Sequence, residues 1–238
     1  DVPPGCGTGS SAAISVALIN ALGIASGEFL SAHEIARLAH RIETDELGCE
    51  CGIQDQYAAA YGGVNFIDMP AYPMVHVSPV PLSGAMLAGL ETQILLVYEG
   101  KGHLSSDVHR KVIESVKDPD SPAAAALEKL KTTALAARRA LLSGDHDLLA
   151  ATMEHNNALQ KSLHPGITTP RLERIEALGK ERGARAAMIN GAGGGGSICL
   201  LCEPGRTIEA AAALRAEGFR ILPFSICPRP AEAWVARP

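Results

Sequence analysis

The sequence predicts an α+β protein, in which helices and strands are mixed along the chain. Three observations lead to this class. Apolar residues recur at helical spacing near the N-terminus and again over 105–182. A continuous apolar run, Ile94-Leu95-Leu96-Val97, predicts a buried strand. From residue 186 onward the pattern becomes strand, glycine run, strand, helix and strand.

The first predicted helix follows a glycine-rich stretch at the start of the chain. Ile14, Leu18 and Leu22 are apolar at intervals of four residues, which is helical spacing. We therefore predict a helix over 10–22, entered directly from the glycine-rich stretch.

A second helix is predicted over 31–43. Ser31 and Glu34 form a capping box, in which each side chain can bind the backbone N–H of the other residue. An apolar stripe continues after them, and the last residue of the predicted helix is Glu43. The next predicted elements are a helix over 54–61, ended by Gly62-Gly63, and strands over 64–68 and 75–79.

The strand over 93–98 is predicted to lie just inside a second domain, so that the domains comprise residues 1–89 and 90–238. Turn-forming residues interrupt the helical pattern of 105–182 in three places, which predicts four helices. The elements predicted after them are strands over 186–190, 198–202 and 220–225 and a helix over 207–217.

Length, composition and charge indicate an ordinary globular protein. The 238 residues, 47 % apolar and 20 % charged, can bury a sizeable core as one large or two small domains. The net charge is -5 and the Lys and Arg residues are scattered, so no surface for nucleic acid is indicated. No apolar run reaches the ~20 residues that span a bilayer. We expect a cytoplasmic protein without a membrane partner.

The six cysteines are irregularly spaced, which favours reduced thiols over a disulfide framework. Cys49 and Cys51 are the one close pair. No second Cys/His pair with metal-site spacing follows them. Two thiols in a loop are therefore the simpler interpretation, and a metal site at this pair is the alternative.

The first stretch that carries chemistry is Pro3-Pro4-Gly5-Cys6-Gly7-Thr8-Gly9-Ser10-Ser11-Ala12-Ala13. Its alternating glycines let the backbone turn N–H groups inward, and Ser10 opens a helix whose N-terminus attracts anions. The paired hydroxyls can also ligate Mg²⁺. The residue pattern matches neither the G-x-G-x-x-G motif nor the Gly-Lys-Ser/Thr of a P-loop. We predict a polyphosphate site, with a serine-capped glycine turn as the alternative.

The second stretch is an acidic pair. Asp55 lies at the start of the third predicted helix, and Glu43 precedes it by twelve residues. If the intervening loop folds back, Glu43 can hold a metal ion while Asp55 faces a hydroxyl that loses its proton during phosphoryl transfer. Taken alone, the pair is also explained by a helix cap and a solvated helix end.

The third stretch is Asn190-Gly191-Ala192-Gly193-Gly194-Gly195-Gly196-Ser197, between two predicted strands. Four consecutive glycines are costly in regular structure, so such a run marks positive φ angles or a very close neighbour. We predict close approach to a ligand or to another loop. A flexible linker is the alternative, which the flanking apolar strands disfavour.

Together and in this order, the three stretches resemble the GHMP kinases, the superfamily named for galactokinase, homoserine kinase, mevalonate kinase and phosphomevalonate kinase. Residues 3–13 are similar to its P-x-G-x-G-L-G-S-S-A-A phosphate loop, with Thr8 where leucine is usual, and 191–196 resemble its C-terminal glycine motif. Residues 55–67 and 159–163 look most like the D-glycero-D-manno-heptose 7-phosphate kinases of the sugar kinase branch. The similarity covers nearly the whole chain.

The resemblance implies a two-lobed α+β fold with ATP between the lobes. The N-terminal lobe would be similar to ribosomal protein S5 domain 2, and the C-terminal lobe would contain a ferredoxin-like sheet. Family members carry a further stretch before the phosphate loop, with strands and a basic residue. We therefore expect that the N-terminal lobe is incomplete in this chain.

The resemblance also implies residue roles and two cofactors, ATP and Mg²⁺. Ser11 and Glu43 would ligate Mg²⁺, and Asp55 would be the catalytic residue that orients or deprotonates the acceptor hydroxyl. The residues implied to hold ATP are Pro4, Gly5, Gly7, Thr8, Gly9, Ser10, Ser11 and Ala12. The residues implied to shape the substrate site are Gln56, Tyr61, Gly193, Gly194 and Gly195.

The motifs and the resemblance predict an ATP-dependent kinase that acts on a hydroxyl of a sugar or sugar phosphate, such as the anomeric hydroxyl of a heptose 7-phosphate. One alternative is a non-catalytic protein of the same fold that binds ATP or a sugar. The other is a kinase of the same superfamily with a mevalonate- or homoserine-type acceptor. Asn190 and Ser197 differ from the heptose branch, which bears on the acceptor more than on kinase activity.

Overall fold

A computed structural model describes residues 2–102 and 105–235 of the chain. Its α-helices are α1 (Ser10–Ser26), α2 (Ala32–Arg41), α3 (Gln54–Tyr61), α4 (Gly84–Gln93), α5 (Ser105–Ser115), α6 (Pro122–Ser143), α7 (His146–Leu163), α8 (Pro170–Glu181) and α9 (Thr207–Ala216). Its strands are β1 (Asn65–Ala71), β2 (Met74–Pro79), β3 (Ile94–Tyr98), β4 (Ala184–Ile189), β5 (Ser197–Cys202) and β6 (Arg220–Leu222). The predicted α+β class is confirmed.

The chain forms two compact units. The small unit comprises residues 9–81 and the segment from 226 onward, and the large unit comprises 82–225 and the segment up to residue 8. The predicted boundary between residues 89 and 90 falls inside α4, a helix that the sequence pattern did not reveal. Ser83 caps this helix by accepting a hydrogen bond from Met86 N–H at 3.2 Å.

In the small unit, α1, α2 and α3 and the antiparallel hairpin of β1 and β2 share one core. Val16 and Ile19 of α1, Ile35 of α2 and Tyr57 of α3 are buried in it. The predicted capping box of α2 is confirmed, because Ser31 accepts from Glu34 N–H and the Glu34 carboxylate accepts from Ser31 N–H. The box fixes the start of the helix whose end carries Glu43.

The buried face of α1 differs from the predicted one. Ile14, Leu18 and Leu22, whose spacing predicted the helix, are 61 %, 57 % and 67 % exposed. The buried side chains include Val16 and Ile19 instead. Because α1 is apolar around most of its circumference, spacing identified the helix but could not identify the face that meets the core.

The C-terminal segment of the small unit packs along α3 without regular structure. Gly63 N–H donates to Cys227 C=O at 2.6 Å, and Ala231 N–H donates to Ala60 C=O at 3.1 Å. Asn20 of α1 donates to Ala231 C=O at 3.0 Å. The strand predicted over 220–225 ends early, at Leu222, and the chain belongs to the small unit from residue 226 onward.

The large unit contains a four-stranded antiparallel sheet with the order β4-β5-β3-β6. Along the chain the strands and helices follow a βαββαβ pattern, in which α5 to α8 fill the first crossover and α9 the second. This order is the ferredoxin-like arrangement. The predicted ferredoxin-like sheet is confirmed, as are the four helices predicted over 105–182.

Helix α7 satisfies the outer edge of the sheet with its polar side chains. Ala187 N–H of β4 donates to Glu154 at 2.7 Å, and Ile189 N–H donates to Asn157 at 3.2 Å. Gln160, further along the same helix, donates to the carbonyl of Gly191 just beyond β4. The edge strand is thus covered, and the start of the glycine run is tied to α7.

None of the helices in the described ranges combines the length and the hydropathy that crossing a bilayer requires.

The backbone conformation of Gly62 and its close contact with Arg229 predict that a substitution at Gly62 is destabilising. Gly62 has φ 63° and ψ 174°, and an added Cβ would overlap the Arg229 carbonyl oxygen. Gly27 also has positive φ, but no described atom lies within 4 Å of an added Cβ. We expect Gly27→Ala to lower the free energy of unfolding by about 1–2 kcal/mol and Gly62→Ala by at least ~3 kcal/mol. Urea denaturation followed by circular dichroism measures both. Equal losses would contradict the packing of the C-terminal segment on α3.

Candidate active site

Glu43 lies in a single π-helical turn, Ile42–Glu46, that continues directly from α2. The predicted helix over 31–43 thus ends in a widened turn, in which Leu47 N–H donates to Ile42 C=O. Single π-helical turns are frequent at functional sites. Here the turn holds Glu43 at 5 % exposure, so the residue is not the solvated helix end that was the alternative.

Three side chains from different elements donate to the Glu43 carboxylate. Ser11 Oγ, in the first turn of α1, donates to Glu43 Oε1 at 2.7 Å. Gln56 Nε2, in the first turn of α3, donates to Oε2, and Cys51 Sγ lies 3.5 Å from the same oxygen. A buried carboxylate needs such donors, because an unpaired buried charge is very costly.

Gln56 is 1 % exposed, and its Oε1 has no hydrogen-bond partner among the described residues. Its amide N–H is already committed to Glu43. The remaining oxygen is therefore a buried acceptor beside the carboxylate, a kind of group that normally has a partner in native proteins. A bound water or ligand donor would satisfy it.

The thiol of Cys51 remains protonated across the physiological range. Burial, followed by the charge of Glu43 and a hydrogen bond to it, raises the pKa of Cys51 to about 12. Nearby His40 is buried, and burial lowers its pKa, although the charge of Glu43 acts in the opposite direction. The described side chains that contact the Glu43 carboxylate, Ser11, Cys51 and Gln56, are therefore uncharged hydrogen-bond donors.

Asp55 lies in the first turn of α3 and faces the residue that precedes α1. A Cβ added to Gly9 would lie 3.1 Å from Asp55 Cγ and 3.3 Å from its Oδ2. Gly9 has φ 69°, a left-handed conformation that also favours glycine. The structure thus brings Asp55 against the backbone of the predicted phosphate loop, within the small unit.

The N-terminus of α1 carries no side-chain cap among the described residues, because the N-cap position is occupied by Gly9. Its first turn also lacks an acidic residue. Ser10 begins the helix as predicted, and Ala12 is buried beneath it at 3 % exposure. The first-turn N–H groups and the helix dipole favour an anion at this end of α1.

The predicted phosphate loop passes from the large unit to the small unit between Thr8 and Gly9. In the large-unit part, Cys6 is fully buried and its Sγ lies 2.8 Å from Thr8 Oγ1. Gly5 and Gly7 have φ angles of 69° and 77°. Pro4 contacts Gly102, where an added Cβ would overlap the Pro4 carbonyl oxygen.

The glycine run packs against backbone. A Cβ added to Gly193 would overlap Ile167 C=O, and Gly194 N–H donates to the same carbonyl at 2.7 Å. A Cβ on Gly196 would lie 2.9 Å from Cys6 C=O. Gly193 and Gly195 are buried. The prediction of close approach is thus met by loop-to-loop contacts inside the large unit, and the linker alternative is wrong.

Tyr61 lies at the other end of α3 from Asp55. Its hydroxyl is 3.4 Å from His33 Nδ1, and its ring stacks on Tyr57 with 6.3 Å between centroids. These contacts belong to the small-unit core and do not extend to Glu43. Its predicted role in shaping the substrate site stays a prediction.

Sequence reasoning missed two groups of neighbours. The spacing of Cys49 and Cys51 predicts two loop thiols, whereas Cys51 contacts Glu43 and only Cys49 is exposed. Asn190 and Ser197 differ from the heptose branch in sequence, and in the structure they hydrogen-bond to each other at 2.9 Å. Neither contact follows from spacing, because each depends on how distant segments meet.

The donor set fits a magnesium ion that a phosphate ligand also coordinates. Within residues 2–102 and 105–235, no group of three or more His, Cys, Asp or Glu side chains is arranged to hold a metal. Glu43 and Ser11 offer one carboxylate and one hydroxyl, both hard oxygen donors, 2.7 Å apart. Mg²⁺ in phosphate-transfer sites is held by one or two carboxylates together with substrate phosphates.

Two models of one known family match this chain, one in its N-terminal part and one in its C-terminal part. Residues 1–63 match the GHMP kinases N terminal domain, and residues 137–220 match the GHMP kinases C terminal domain. The first match contains Glu43 and Asp55, and the second contains the glycine run.

Two curated relatives illustrate the range of acceptors among similar proteins. The D-glycero-alpha-D-manno-heptose 7-phosphate kinase of Campylobacter jejuni is 30 % identical over 98 % of this chain and 68 % of its own length. The mevalonate kinase of Pyrococcus horikoshii is 32 % identical over 91 % of this chain and 62 % of its own length. The chain thus spans about two thirds of the length of these relatives.

Among solved structures, a D-glycero-D-manno-heptose 1-phosphate kinase from Bacteriodes thetaiotaomicron superimposes with a TM-score of 0.77. It is 27 % identical, and the match covers 100 % of this chain and 66 % of that protein. The fold of this chain is thus similar to the fold of that structure.

The raised pKa of Cys51 predicts slow alkylation. Only the thiolate reacts, so in metal-free protein at pH 8 iodoacetamide should modify Cys51 at least ~10 times more slowly than exposed Cys227. Glu43→Gln removes a charge that raises this pKa, so it should accelerate modification of Cys51 and leave Cys227 unchanged. Peptide mass spectrometry over time measures both rates. Equal rates in the two proteins would contradict the contact between Glu43 and Cys51.

Proposed function

Because the chain belongs to the GHMP kinase family, we propose that it takes part in transfer of the γ-phosphoryl group of ATP to a hydroxyl of a sugar or sugar phosphate. The observation that carries the proposal is the Asp55 carboxylate against Gly9, at the start of α1. In the same unit Ser11 and Glu43 form the oxygen pair suited to Mg²⁺.

The phosphates of ATP would bind at the N-terminus of α1. Its N-cap residue, Gly9, has no side chain to cap the first-turn N–H groups, and the helix dipole adds about half a positive charge there. Ser10 begins this turn, and its hydroxyl can add a further hydrogen bond. Gly5, Gly7 and Thr8 remain predicted phosphate contacts on the preceding part of the loop.

Glu43 and Ser11 would hold Mg²⁺ together with the nucleotide. When bound, Mg²⁺ neutralises charge on the β- and γ-phosphates. Gln56 and Cys51 hold the Glu43 carboxylate by hydrogen bonds to its Oε2. The other oxygen, Oε1, accepts from Ser11. The unpartnered Oε1 of Gln56 would accept a hydrogen bond from a water molecule in this site.

Asp55 would orient the acceptor hydroxyl and receive its proton. The carboxylate lies beside Gly9, next to the amides that would bind the phosphates. A group in this position can hold the attacking oxygen in line with the transferred phosphoryl. Most of the rate enhancement would come from positioning and charge neutralisation, since the loose transition state needs little covalent help.

The acceptor is proposed to be a sugar phosphate of the heptose 7-phosphate type. Support comes from the resemblance of residues 55–67 to that branch and from the heptose kinase of Campylobacter jejuni, which aligns with nearly the whole chain. The mevalonate kinase of Pyrococcus horikoshii supports the second candidate, an acceptor of the mevalonate type. The presence of Ser11, Glu43 and Asp55 in the sequence argues against a binding protein without catalysis.

ADP release tests the proposal. The complete protein, supplied with Mg·ATP, should release ADP with D-glycero-D-manno-heptose 7-phosphate and much less with mevalonate, homoserine or unphosphorylated hexoses. Turnover with mevalonate alone would favour the second candidate. ATP binding without ADP release for any acceptor would favour the non-catalytic alternative.

In the same assay, Asp55→Asn should reduce turnover by at least ~10², because the variant keeps the shape of the side chain and loses the proton acceptor. ATP affinity should stay within about threefold. Asp68→Asn, an exposed carboxylate on β1, is the matched control and should be fully active. Full activity of Asp55→Asn would remove Asp55 from the mechanism.

A further inference from the structure

Ser197, which is buried, and Asn190, which is half-buried, form a hydrogen-bonded pair beside the large-unit part of the phosphate loop. Ser197 is fully buried and opens β5, and Asn190 directly follows β4. Asn190 N–H donates to Ser197 C=O at 3.0 Å, so the two backbones extend the ladder between the two strands. The side chains therefore stand on rigid elements.

Through Ser197, the pair is hydrogen-bonded to the carbonyl group of Cys6. Asn190 Nδ2 donates to Ser197 Oγ at 2.9 Å, and Ser197 Oγ donates to Cys6 C=O at 2.7 Å. Because the hydroxyl oxygen accepts from the amide, its single proton is directed to the carbonyl. The neighbouring glycine at 196 allows this approach, since a Cβ there would lie 2.9 Å from the same carbonyl oxygen.

Fixing the Cys6 carbonyl also fixes the direction of the next N–H. The peptide bond between Cys6 and Gly7 is planar and trans, so Gly7 N–H points opposite to Cys6 C=O. The carbonyl points into the buried interior toward Ser197. The N–H of Gly7 is thereby turned toward the other side of the loop, where Gly7 itself is exposed.

We propose that Asn190 and Ser197 are positioning residues for phosphate binding: they hold the Cys6 carbonyl inward so that Gly7 N–H is presented to a phosphate group of the nucleotide. This inference rests on the proposed function, and it gives Asn190 and Ser197 a part in orienting the Gly7 amide, which lies in the same unit. Neither side chain touches the ligand. Their effect is to preorganise a loop amide, which lowers the cost of ordering the loop on binding.

The proposal separates phosphate recognition from general stability. Removing the Ser197 hydroxyl frees the peptide between Cys6 and Gly7 to rotate, which should weaken binding of ligands with phosphates and leave binding of the nucleoside unchanged. A purely structural role would instead affect all ligands alike or only the thermal midpoint. Thr133 provides the matched control, because its buried hydroxyl donates within the large unit to Asn156, apart from the loop.

Isothermal titration calorimetry of the complete protein with Mg·ADP and with adenosine tests the proposal. Ser197→Ala should weaken Mg·ADP binding about tenfold, and Asn190→Ala about threefold because Ser197 can still donate without its partner. Adenosine affinity should change by less than ~2-fold in both variants. Thr133→Val should leave both affinities unchanged while lowering the thermal midpoint.

The outcomes are distinguishable. Unchanged Mg·ADP affinity in folded Ser197→Ala, or equal weakening of adenosine and Mg·ADP, would overturn the positioning role. If Ser197→Ala does not fold, the milder Asn190→Ala decides by the same comparison. Failure of the wild-type protein to bind Mg·ADP at all would instead overturn the proposed function.

Discussion

The buried carboxylate of Glu43 is the group around which the small unit is organised. It receives hydrogen bonds from Ser11 on α1, from Gln56 on α3 and from the thiol of Cys51 in the intervening loop. A carboxylate at 5 % exposure is tolerable only with such donors. Three separate segments thus meet at one carboxylate, which lies in the π-helical turn that follows α2.

The hydrogen bond between Gln56 and Glu43 also sets the direction of Asp55. Gln56 is fixed on Glu43, and the preceding residue in α3 points about 100° away around the helix axis. That residue is Asp55, and it faces Gly9 at the uncapped start of α1. Ser11, Glu43 and Asp55 therefore lie in one compact unit. In the large unit the glycine run serves a different purpose, since its glycines allow backbone segments to meet at distances that any Cβ would prevent.

Local sequence patterns predicted most of the elements. The Ser31 capping box and the helix over 54–61 were readable because each depends on neighbouring residues. The buried face of α1 was not readable, because Ile14 and Val16 are equally apolar and only tertiary packing distinguishes them. The contacts of Cys51 with Glu43 and of Ser197 with Cys6 were also missed, since they join residues whose proximity is set by the π-helical turn and by the sheet order. The sequence predicts that Glu43 and Asp55 are functional residues. It does not predict that Glu43 contacts Ser11 while Asp55 lies against Gly9.

The most direct test of this account is the Mg²⁺ dependence of ADP binding, measured by calorimetry with and without EDTA. In the wild-type protein Mg²⁺ should strengthen ADP binding, and in Glu43→Gln this gain should fall at least ~tenfold. Metal-free ADP binding should be unchanged or stronger, because a negative charge near the phosphates is gone. An undiminished gain from Mg²⁺ in Glu43→Gln would contradict the assignment of the metal site to Glu43.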